Sequence, residues 1–151
     1  MKHLQWARIE VQIDDDGVRV TVRGWYRLIS GPIRFAARRD QIIRATVAER
    51  GGLEAAVTAR EAGFGTNRGT SWTGRLRLGG FLCNGLLGRQ FWAVGPCEAS
   101  TPLLLLQVSN ISTRSVHGPF TRALLMGDAP YKQAVLQVPD PHAAVADLNV
   151  G

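Results

Sequence analysis

Lysine is scarce in this chain: Lys2 and Lys132 are the only two, so the basic charge rests on sixteen arginines. Cysteine is scarce as well. Cys83 and Cys97 are too few for a disulfide framework, and no C-x-x-C pair or Cys/His pair at zinc spacing occurs, so both thiols are expected reduced and buried or half-buried. Three histidines, His3, His117 and His142, lie far apart without an i, i+4 partner, which argues against a metal site. Long apolar runs are missing too. The block Leu103 to Leu106 meets polar neighbours within two residues on each side, far short of the roughly 20 apolar residues that cross a bilayer, so no transmembrane segment is expected. The N-terminal string reaches Arg8 and Glu10 before any apolar stretch forms; a secretory leader is therefore not expected, and the cytoplasm is the default compartment.

Catalytic and cofactor motifs are also lacking. Ser71 in Gly69-Thr70-Ser71-Trp72-Thr73 misses the nucleophile elbow because Thr73 stands where glycine is needed, and a strand is expected where the elbow needs a helix. The glycines of Gly63-Phe64-Gly65-Thr66-Asn67-Arg68-Gly69 are wrongly spaced for a dinucleotide loop, and no phosphate-loop motif exists. Asp14-Asp15-Asp16 lacks the alternating spacing of a calcium loop and reads as a solvated turn. No catalytic residue, metal or cofactor is assigned, and an enzyme is not expected.

What remains is a chain of 151 residues, a length that suits one domain able to hide roughly 68–70% of its unfolded surface. Its net charge of +6 is uneven. Residues 1–95 hold 15 basic and 8 acidic side chains, a balance of +7, whereas residues 96–151 hold 3 and 4, a balance of −1. The first two-thirds thus suits an anionic partner, although the plainer account is a set of ordinary solvating charges.

Alternation at period two organises much of the sequence. Ile9, Val11 and Ile13 alternate with Arg8, Glu10 and Gln12; Asp14 to Gly17 supplies a turn; Val18, Val20 and Val22 then alternate with Arg19, Thr21 and Arg23, a hairpin with one buried face. Trp25 to Ile29 reads as a bend or short helix, Gly31-Pro32 as a break, and Ile33 to Ala37 and Gln41 to Val47 as strands around an Arg38-Arg39-Asp40 turn. Leu53 to Glu61 has helical propensity, so a short helix and then a long loop are expected across 51–73. Strands resume from Gly74, with Asn84-Gly85 as a hairpin signal before Gln90 to Val94. Leu103 to Val108 reads as a strand covered on both faces, 109–130 as a second excursion with a strand or turn at Phe120 to Met126, and Tyr131 to Val138 as the last strand. Asp140 is an N-cap and Pro141 a first helical residue, with Ala144, Val145 and Leu148 on the apolar side of a closing helix.

Two arginine sets are the candidate ligand-binding residues. Arg38 and Arg39 close one strand, Arg75 and Arg77 line the polar face of another, and Trp72 lies nearby in sequence. If the strands approach one another, four guanidinium groups form a patch able to grip phosphate or carboxylate in bidentate fashion; the plainer account is separate solvated charges with Trp72 folded onto the rim.

Gly69 to Gly74, Gly88-Arg89-Gln90-Phe91-Trp92-Ala93-Val94 and the ending Val138-Pro139-Asp140-Pro141-His142 through Leu148 together resemble uncharacterised bacterial proteins of pleckstrin-homology (PH)-like type. The resemblance spans about Glu10 to Leu148 and departs from the pattern at 51–68 and 110–130. It implies a mainly β, bent antiparallel barrel or sandwich of about seven strands with a C-terminal helix, in a single PH-like domain over 1–151. PH-like domains are binding scaffolds, and the fold alone does not name a ligand. The lipid-binding version places basic residues around the first hairpin, where this chain has three aspartates. The expected function is therefore a noncatalytic interaction module for a protein partner or homo-oligomer, acting through a strand edge, the loops or the Arg/Trp surface. The alternative is binding of an anionic membrane surface or nucleic acid through the arginine-rich face, recognisable by steep salt dependence. A third reading, an enzyme or carrier with an internal pocket, requires a concave apolar cavity.

Overall fold

The computed structural model describes residues 7–24, 33–64, 76–83, 89–112, 116 and 130–150. It is a mainly β sandwich of two sheets with a short C-terminal helix. Three strands, β1 (Ala7–Asp14), β2 (Gly17–Gly24) and β3 (Arg34–Arg38), form an antiparallel meander in the order β1-β2-β3. A 3-10 turn (Arg39–Gln41) leads to β4 (Ile42–Glu49), α1 (Arg50–Ala56), β5 (Val57–Phe64), β6 (Arg77–Cys83), β7 (Arg89–Val94), β8 (Pro102–Ser112), β9 (Pro130–Leu136) and α2 (Pro141–Val150). The second sheet has the order β4-β8-β9-β7-β6-β5. The described strands leave β1, β3, β4 and β5 as sheet edges, so a sandwich forms and not a closed barrel.

The first hairpin follows its alternation. Val18, Val20 and Val22 are buried while Arg19, Thr21 and Arg23 are exposed. Its turn is held by the Asp16 amide donating to Asp14 Oδ1 at 2.9 Å. Gly17 has φ +137°, and a Cβ there would stand 2.1 Å from the Ala37 carbonyl oxygen, so only glycine fits where β2 meets β3. In β3, Phe35 and Ala37 point inward.

The inward residues of the small sheet pack on one face of the large one. Phe35 stacks on Phe91 with centroids 4.5 Å apart, and Tyr131 meets Phe91 edge-on at 5.7 Å. Leu78, Leu104, Leu106, Ala134 and Leu136 complete this core, which Ala144 and Leu148 of α2 close at one end. The Asp140 carboxylate caps α2 by accepting from the Ala143 amide at 3.1 Å. The other face of the large sheet carries a second cluster of Phe81, Trp92, Val94, Leu103 and Val135 against Leu53 of α1. Central strands covered on both faces read as continuous apolar sequence, which accounts for the leucine block of β8 and for Phe91 to Val94.

Four expectations need correction. The helix lies at Arg50–Ala56, and Val57–Phe64, expected as helix and loop, is a strand that pairs with β6 through two register shifts. The alanines and glutamates of 53–61 favour a helix, but propensity yields to tertiary context, and pairing with β6 overrides it from Val57 onward. β7 and β9 run parallel, whereas an antiparallel arrangement was expected throughout. The described strands number nine against about seven expected. Finally, β8 continues to Ser112, past a register shift where Asn110 adopts φ 60°. The expected elements at Trp25 to Ile29, Gly31-Pro32, 65–69, Asn84-Gly85 and Phe120 to Met126 lie outside the described residues.

Candidate functional site

The outward positions of the small sheet carry Glu10 and Gln12 from β1, Arg19, Thr21 and Arg23 from β2, and Arg34, Ala36 and Arg38 from β3. Strand register fixes their neighbours. Thr21 stands opposite Arg34 and Arg19 opposite Ala36, so Arg34 and Arg38 are both diagonal neighbours of Arg19, roughly 7–8 Å away. The methyl group of Ala36 leaves open space between these long side chains. A cavity of about 430 Å³ lies here, lined among the described residues by 19–22 and 33–36. Because Val20, Val22, Ile33 and Phe35 are buried, its accessible walls among the described residues are Arg19, Thr21, Arg34 and Ala36. A smaller cavity of about 140 Å³ shares Arg19 and Ala36 and extends towards Asp14, Asp16 and Arg38, giving a furrow along β3.

The charges in the furrow differ in their engagement. Arg23 pairs with Glu10, Arg19 reaches Asp14 at 3.5 Å, and Arg38 reaches Asp40 at 3.0 Å, all at the surface. Arg34 is exposed and, among the described residues, makes no ion pair or side-chain hydrogen bond.

The arginines singled out in the sequence are not brought into one patch. Arg38 borders the furrow, but Arg39 turns away: its guanidinium donates to the Asp14 carbonyl at 3.1 Å and the Asp147 carbonyl at 3.0 Å, tying the first hairpin to α2. Arg77 is only 2% exposed and lies on the opposite face of the large sheet. Trp72 and Arg75 lie outside the described residues.

Arg77 belongs to a buried Arg-Glu-Arg cluster. Its Nη2 donates to Glu54 Oε1 at 2.5 Å, while Arg50 donates through Nε to Glu54 Oε2 at 2.9 Å and through Nη1 to the Gly95 carbonyl at 2.7 Å. The Arg77 guanidinium also lies 4.5 Å from the Phe81 ring centroid and 5.2 Å from that of Trp92. One carboxylate thus serves two cations, with ring faces and a carbonyl stabilising the surplus positive charge. Beside them Trp92 Nε1 donates to Gln90 Oε1 at 2.6 Å, and Gln90 Nε2 to Gln133 Oε1 at 2.9 Å. Among the described residues every buried side-chain polar atom has a partner. This arrangement fixes α1 and the 95–101 loop on the sheet and presents no group to a substrate. Its sequence signal is the i, i+4 pair Arg50 and Glu54, which share one helical face.

No family model, curated protein or solved structure matches the chain.

Proposed function

We propose that this chain is a noncatalytic interaction module that holds a partner protein in the furrow on the outer face of β2 and β3. The observation that carries this reading is the 430 Å³ cavity whose accessible walls, Arg19, Thr21, Arg34 and Ala36, take no part in the core. Such a surface can be occupied without disturbing the inward valines. Of the three buried arginines described elsewhere, Arg50 and Arg77 are committed to Glu54, and Arg89 is enclosed in β7. The motifs that resemble PH-like proteins favour the same class of role, a scaffold with a variable binding surface.

The test is capture from native lysate, with nuclease and at low and moderate salt, by the wild-type chain and by Ala36→Trp, which fills the furrow from an exposed position. A stoichiometric protein that survives nuclease and salt and is lost with Ala36→Trp is the expected result. Capture that is unchanged by Ala36→Trp removes the furrow from consideration. Recovery of only nuclease- or salt-sensitive material instead favours the anionic-surface alternative.

A further inference from the structure

The geometry points to a particular occupant for the furrow: an acidic segment of the partner protein, with a side-chain carboxylate held between Arg34 and Arg19 beside the Thr21 hydroxyl. This rests on the reading of the small sheet as the working face and adds the chemistry of what it takes.

Among the described side chains four arginines share that face, and three of them meet a carboxylate of their own chain: Arg23 with Glu10, Arg19 with Asp14, and Arg38 with Asp40. Arg34 meets none among the described residues, and it stands over the larger cavity. A guanidinium offers paired donors whose spacing matches a carboxylate, and charge-assisted bonds of this kind are stronger than neutral ones. Thr21, directly across from Arg34, adds a hydroxyl donor. Arg19 is a diagonal neighbour, and its 3.5 Å contact with Asp14 joins two exposed side chains, a kind of pair that contributes little and exchanges readily. An incoming carboxylate therefore meets one unengaged guanidinium and a second that can turn towards it.

The shape of the charge favours a short segment over a broad polyanion. Asp14, Asp15 and Asp16 form the exposed turn at the Arg38 end of the same face. A duplex or an anionic bilayer lying along the sheet brings phosphates against these carboxylates, whereas a single acidic side chain can occupy the Arg34 end alone. The face also carries no aromatic ring among the described residues, so it lacks the platform on which single-stranded bases stack.

A fluorescein-labelled hexaglutamate peptide, titrated by anisotropy into the full chain with labelled hexaserine as control, tests the inference. Hexaglutamate is expected to bind saturably, with affinity that falls as salt rises, and hexaserine to bind far more weakly. Arg34→Ala should weaken hexaglutamate binding roughly tenfold while leaving the thermal transition unchanged, and Lys132→Ala should leave binding unchanged. Absence of hexaglutamate binding, or equal binding by Arg34→Ala, overturns the inference. So does tighter binding of labelled oligothymidine or phosphatidylserine vesicles with the same dependence on Arg34. If a partner captured from lysate is lost with Ala36→Trp but retained by Arg34→Ala, the furrow stands as the working face and the acidic occupant is wrong. If neither substitution affects capture, the proposed function itself falls.

Discussion

Asn149 occupies the place of a neighbouring strand for Ala45. Its Nδ2 donates to the Ala45 carbonyl at 3.0 Å, and its Oδ1 accepts from the Ala45 amide at 3.2 Å. Ala45 lies in β4, an edge of the large sheet, and both of its outward backbone groups are thereby engaged. An open edge is a template for pairing with another chain, so one amide side chain of α2 both anchors the helix and blunts the edge.

Asn149→Ala is accordingly expected to destabilise the fold by about 1–2 kcal/mol, the net value of two hydrogen bonds, and to lower Tm by about 4 °C. Thermal unfolding measures the shift. Sedimentation at rising concentration should also show more self-association than the wild type, and a variant that stays as dispersed as the wild type argues that the edge is guarded by something else.

The buried triad predicts a non-additive pattern. Glu54→Ala leaves two guanidinium groups facing each other out of water and should cost about 3–5 kcal/mol in urea unfolding. Replacing Arg50, Glu54 and Arg77 together with Met, Leu and Met should recover most of that loss, because apolar side chains of similar size carry no desolvation cost. A triple variant less stable than Glu54→Ala contradicts this account.

Adjacent arginines should behave differently. Arg38 pairs with Asp40 at an exposed site, so Arg38→Ala is expected to change stability by no more than about 0.5 kcal/mol. Arg39→Ala removes bonds to two backbone carbonyls that join the hairpin to α2 and should cost about 1–2 kcal/mol. Equal effects from the two would mean that the clamp contributes nothing.

Asp14→Asn keeps the Oδ1 acceptor for the Asp16 amide but removes the charge that engages Arg19. Hexaglutamate should then bind about threefold more tightly, a gain of the size of one surface ion pair. Unchanged or weaker binding would exclude Arg19 from the site.

Phe35→Ala removes the ring stacked on Phe91 between the two sheets and is expected to cost about 3–5 kcal/mol. Chemical denaturation gives the value directly. A loss under about 1 kcal/mol would indicate that the small sheet is only loosely docked.

Local patterns carried the local structure. The alternating valines with Asp14 to Gly17 announce the first hairpin, and Asp140-Pro141 announces the closing helix; each is encoded within a few neighbouring residues. Strand direction between β7 and β9 is set by non-local pairing, which the residues of neither strand specify on their own. Arg77 shows the corresponding limit for the site. Alternation correctly puts it opposite Leu78, but nothing in β6 tells that α1 covers its face and supplies Glu54 from 23 residues earlier. The furrow was hidden for another reason. Arg19, Arg34 and Ala36 look like unremarkable outward positions until the register of β2 and β3 sets them side by side.

That register also separates two kinds of information along the same strands. Substitutions at Val18, Val20, Phe35 and Ala37 are read by the core, whereas those at Arg19, Thr21, Arg34 and Ala36 are read only by whatever docks from outside. The outer set can be randomised as a library while the inner set is held constant, which makes the small sheet a replaceable recognition panel on an unchanged frame.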